Sequence, residues 1–133
     1  MYKLISRAAA LLAGIVLSAG AFAAAELPAQ STEQAGVTVK VVPRNITGAV
    51  WEFEVVLDTH VRALTDDLLQ GAALVAANGA AVRPTGWQGD PPGGHHRKGV
   101  LQFKALDPRP AILELRIVRP DEQAPRAFRW PLN

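Results

Sequence analysis

The chain has no cysteine, and its single methionine is Met1. Those two absences exclude a disulfide framework, a thiolate nucleophile, lipid attachment at a thiol, and sulfur ligation of soft metals by the remainder of the chain. Serine is nearly as scarce: beyond residue 25 only Ser31 is left, in a polar stretch that is expected to be flexible, so a Ser/His/Asp triad is not expected. No glycine-rich loop follows a strand and opens a helix, which argues against nucleotide binding. Charge of either sign is restrained. Of fourteen basic and twelve acidic residues, only Lys3 and Arg7 fall before residue 26, so the remainder is formally neutral and lacks the clustered positive charge that nucleic acid requires. Asp66 and Asp67 are adjacent, which suits a solvated helix start better than a cooperating acid/base pair. A non-catalytic protein is expected.

What is present begins with a targeting segment. Residues 1–25 carry Lys3 and Arg7, then an apolar centre from Ala8 to Leu17, then small residues up to Ala25. That tripartite order is a secretory signal, with cleavage expected after Ala23 or Ala25. A periplasmic or secreted protein follows, with no membrane insertion after cleavage, because no later stretch is long and apolar enough to span.

Residues 26–36 are polar and aperiodic and read as a flexible leader. Residues 37–131 then read as one all-β domain. Val37-Thr38-Val39-Lys40-Val41 alternates up to Pro43, and Val50 to Asp58 sets Trp51, Phe53, Val55 and Leu57 against Glu52, Glu54 and Asp58, a period of two that buries the aromatics. A helical turn is expected after Thr65-Asp66-Asp67. Asn78-Gly79 predicts a two-residue hairpin turn between strands at 72–77 and 80–87. Residues 88–94, with three glycines and two prolines, read as a loop. Alternation resumes at 99–104, at 111–117, where Leu113, Leu115 and Ile117 share a face, and at 127–130. About seven short strands and one helical turn predict a single immunoglobulin-like antiparallel β-sandwich. Arg44, Arg62, Arg83, Arg109, Arg116, Arg119, Arg126 and Arg129 fall on turns and outward strand faces, where they are expected to solubilise the sheet edges.

The segments Trp51-Glu52-Phe53-Glu54-Val55-Val56-Leu57-Asp58-Thr59-His60, Trp87-Gln88-Gly89 and GGHHRKGVLQF from Gly93 to Phe103 carry a resemblance. From Val37 to Trp130 the chain resembles a family of small exported or membrane-tethered prokaryotic β-sandwich domains with no assigned activity. The resemblance implies the sandwich fold and draws attention to the histidines. A weaker similarity is to periplasmic copper-carrier sandwiches, from which the chain departs by having no methionine beyond Met1 to hold cuprous ion.

Chemistry concentrates in those segments. His60 closes one strand, while His95 and His96 stand side by side before another. If the two strand ends share an edge of the sandwich, three imidazoles with Asp58 or Asp90 would suit a divalent transition metal, Cu²⁺, Zn²⁺ or Ni²⁺. Arg97 and Lys98, with Trp87 nearby, would add a subsite for a small anionic ligand. The contrasting expectation is architectural: Arg97 and the histidines fasten the long loop, and an unidentified protein partner docks on a sheet face or edge.

Overall fold

The computed structural model describes residues 26–132, so the expected signal segment at 1–25 lies outside the described residues. Nine strands and one helical turn form two antiparallel sheets. In chain order they are β1 (Gln30–Gln34), β2 (Val37–Asn45), β3 (Val50–Thr59), α1 (Leu68–Gly71), β4 (Ala72–Val75), β5 (Ala81–Val82), β6 (Gly86–Gly89), β7 (His96–Lys104), β8 (Ile112–Ile117) and β9 (Arg126–Pro131). The five-stranded sheet runs β1-β2-β3-β7-β6 and the four-stranded sheet β5-β4-β8-β9.

Period-two alternation decides which residues meet between the sheets. In β3 the odd positions Trp51, Phe53, Val55, Leu57 and Thr59 are all buried, and in β8 Leu113, Leu115 and Ile117 are too. Phe53 packs edge-on against Phe103 of β7, ring centroids 5.6 Å apart, and reaches Trp130 of β9 at 6.2 Å. The aromatic contact between β3 and β9 ties one sheet to the other. Each such side chain, once out of water, contributes on the order of 1.5–3 kcal/mol. The core is continuous, with Trp51 and Trp130 inside it as expected for tryptophans on inward strand positions.

Several local expectations give way to the packing. The leader extends only to Ala29, because Gln30–Gln34 pairs with β2 as an edge strand. Side chains hold it: the Gln30 amide exchanges hydrogen bonds with the backbone of Arg129, and Arg126 donates to the Thr32 and Gln34 carbonyls. Polar strand residues of that kind leave no apolar alternation to read. The run expected at 80–87 is divided between the sheets, β5 in one and β6 in the other. Pro84, between them, has no N–H to continue a ladder. Asn78-Gly79 does turn the chain, but in a three-residue loop closed by Ala76 N–H to Ala80 O, with Gly79 at φ +86°. Asp67, the last residue of the expected helix start, caps α1 by accepting from the Leu69 and Gln70 amides.

Candidate functional site

The end of the β3–β7 pair gathers the residues singled out from sequence. Register places Asp58 opposite His96 and Leu57 opposite Arg97, and the Thr59 amide donates to the His95 carbonyl at 2.9 Å. Neighbouring side chains then part. Asp58 and His96 lie on the outer face of the five-stranded sheet, while Arg97 turns inward.

On the outer face His96 Nδ1 lies 2.5 Å from Asp58 Oδ1. An ionised carboxylate only accepts, so Nδ1 carries the hydrogen and Nε2 is left toward solvent. Both side chains are more than half exposed, as is Lys98, whose Nζ is 3.8 Å from Glu54. Exposed pairs of this type are worth about 0–1 kcal/mol. His95 is exposed and engages the fold through its carbonyl, and His60 is exposed just beyond the end of β3. Of the four expected metal ligands, Asp58 and His96 are brought together. Among the described residues no three side chains of metal-ligating type form a group that would hold an ion.

Arg97 is different. It is 2 % exposed, donates from Nη1 to the Asp66 carbonyl at 2.7 Å and from Nη2 to the Asp90 carbonyl at 3.4 Å, and leaves Nε without a partner. Its guanidinium carbon lies 5.6 Å from the ring centroid of Trp87, whose indole N–H donates to the same Asp90 carbonyl. The indole reaches this place because β7 has no side chain at position 99. A Cβ on Gly99 would sit 2.5 Å from Trp87 Cζ2, and one on Gly89 would sit 2.4 Å from Gly99 Cα. Two facing glycines thus let the tryptophan lie across the strand beside the arginine. The WQG and HHRKG segments are two halves of one packing unit, which accounts for Trp87, Gly89, Arg97 and Gly99. The loop between them is stitched to the 59–66 segment as well, with Gly93 N–H donating to Leu64 O and Leu64 N–H to Gly94 O.

Behind Arg97 runs a set of buried charges that sequence reasoning missed. Both Asp66 oxygens accept from Arg119, through Nε and Nη2 at 2.8 Å each. Arg119 Nη1 donates to Glu122, and Arg126 grips the same carboxylate through Nε at 2.9 Å and Nη2 at 2.8 Å. Arg126 then donates to the Val37 carbonyl at 2.9 Å, at the β1–β2 turn. Two arginines and two carboxylates therefore link the loop after β3, the turn after β8 and the first hairpin, and Arg97 joins them through the Asp66 carbonyl. The hydrogen bonds from Arg126 hold the Glu122 carboxyl below the usual carboxylate range, against the opposing effect of burial and with further help from Arg119. For Arg119 burial works against the charge, yet the hydrogen bonds and charge of Asp66 and Glu122 outweigh it and raise its pKa.

Arg119 and Arg126 are thus structural rather than solubilising, a correction to the expectation for the arginines. Arg126 stands at an inward position of β9 and Arg119 just past β8, next to carboxylates that sequence separation hides. The local signals are the i, i+3 spacing of Arg119 and Glu122 and the i, i+4 spacing of Glu122 and Arg126, which carry no weight outside a helix. One open groove of about 420 Å³ runs beside this network, lined by Val37, Val61, Arg62, Arg119, Pro120 and Glu122. A second of about 420 Å³ lies near Leu27, Pro43, Ile46, Arg109 and Leu132. The histidines line neither.

No protein-family model matches the chain, and neither a curated protein nor a solved structure matches it.

Proposed function

We propose that this chain is an exported, non-catalytic interaction module, in which Trp87, Arg97 and the loop bearing His95 and His96 build a rigid end of the sandwich. The observation that carries this reading is the inward burial of Arg97, at 2 % exposure, between two backbone carbonyls and an indole face. A guanidinium so placed fastens the 88–95 loop and presents nothing to a soluble anion. Export rests on the signal-like order of residues 1–25.

One observation favours a second reading, a divalent metal held at the strand ends: the Asp58–His96 contact, with His60 and His95 on the adjoining residues of the same two strands. Titration with Cu²⁺, Zn²⁺, Ni²⁺ and inorganic phosphate, followed by Trp87 fluorescence and calorimetry, separates the two. The fastening reading expects no saturable response. A one-to-one response lost in both His60→Ala and His95→Ala/His96→Ala would overturn it in favour of the metal.

A further inference from the structure

We propose that the outer face of the four-stranded sheet docks a partner protein surface that presents carboxylates among aliphatic side chains. The proposal rests on the interaction-module reading and names the partner chemistry. Strand pairing sets the outward rows: Ile112 beside Pro131, Glu114 beside Arg129, and Arg116 between Ala73 and Ala127.

Glu114 is the only acid in the four strands of this sheet, and it does not reach solvent as a charge. It is 8 % exposed, and each of its oxygens accepts from one arginine Nε, Oε2 from Arg116 and Oε1 from Arg129. One carboxylate therefore anchors two guanidinium groups by their inner nitrogens, leaving one net positive charge. Among the described residues, the Nη atoms of both arginines have no hydrogen-bond partner, and the side chains are 46 % and 61 % exposed. Burial disfavours the Glu114 carboxylate, but the bonds from Arg129 and Arg116 outweigh it and hold its pKa low, so the clamp persists at neutral pH.

Arginine forks held in place by a shared anchor have lost part of their rotamer freedom before a partner arrives, and their planar Nη pairs match a carboxylate in bidentate geometry. Exposed Ile112 and Val118 lie on the same outward alternation and add apolar area. The opposite face of the molecule lacks this character. There Lys40, Arg44, Lys98 and Lys104 are matched in number by Glu33, Glu52, Glu54 and Asp58, with Arg44 and Lys98 both reaching Glu54, so the strand charges of that face balance. Among the described strand residues, the outer face of the four-stranded sheet keeps a net positive charge, from Arg116 and Arg129 against Glu114, and complementarity then calls for an acidic partner.

The test uses the full chain, ¹⁵N-labelled, titrated with a synthetic peptide alternating glutamate and valine, with a lysine-valine control and with phosphatidylglycerol vesicles. Amide shifts confined to Ile112, Arg116, Val118, Ala127 and Arg129, absent with the control peptide, are expected. Glu114→Gln/Arg116→Gln/Arg129→Gln, which removes the forks without stranding a carboxylate, should weaken binding by at least about tenfold. Arg116→Lys/Arg129→Lys, which keeps the charge, should also bind more weakly. Shifts on β2, β3 or β7, affinity unchanged in the triple variant, binding to vesicles alone, or no binding at millimolar peptide would each overturn the assignment of this face. The wider interaction reading would instead fail on the metal titration, so the two failures are distinguishable.

Discussion

The molecule holds two sets of charges within a few residues of each other, and they behave oppositely. Asp58, His96 and Lys98 are exposed on the outer face of the five-stranded sheet, where water screens each pair. Asp66, Arg97, Arg119, Glu122 and Arg126 are buried at the same end of the sandwich and joined by hydrogen bonds. The first set has the residue types of a ligand site and contributes little to the fold. The second has the types of a solubilised surface and holds three segments together. Residue type alone does not separate them; strand parity and burial do.

The largest expected effect comes from breaking the buried set. Asp66→Ala strands Arg119 without its bidentate partner and should lower the unfolding free energy by about 3–5 kcal/mol in urea denaturation. A loss below about 1 kcal/mol would mean that water already reaches Arg119. Acid should expose the same set. The Glu122 carboxyl is held low in the folded state, so its contribution is fully present above the ordinary carboxylate value near 4.3 and is lost as pH falls through the folded value. Glu122→Gln should therefore be less stable at neutral pH and show a flatter decline of Tm on acidification. An unchanged acid profile would contradict the assignment.

Strand periodicity made β2, β3, β7 and β8 legible, since each has one apolar face and one polar face. It failed where a strand is held by other means. β1 is fixed by glutamine and arginine side chains, and β5 and β6 are too short to show a period. Of the candidate site, the outward place of Asp58 was readable from the alternation, whereas the pairing of β3 with β7 that brings it to His96 entered only as a condition, because a period of two does not say which strands are neighbours. The inward turn of Arg97 follows from the same parity, counted back from Phe103 through Leu101 and Gly99. Its partners were not readable, because backbone carbonyls at Asp66 and Asp90 leave no trace in side-chain pattern.

Smaller effects sharpen the contrast. Gly99→Ala forces its methyl into Trp87 and should cost about 1–3 kcal/mol, read by urea denaturation together with a change in tryptophan emission. His96→Ala removes only an exposed pair and should change stability by less than about 1 kcal/mol. If His96→Ala proved the more damaging of the two, the outer face would be the structural one.

Amide hydrogen exchange in the wild-type chain and in Arg97→Lys tests the central claim most directly. The Leu64 and Gly93 amides, which bond across the fastened loop, should be protected in the wild type without added metal and exchange faster in the variant, while Phe53 and Leu101 in the core stay unchanged. Protection at Leu64 and Gly93 that is indifferent to Arg97, or that requires added Zn²⁺ or Cu²⁺, would contradict the account.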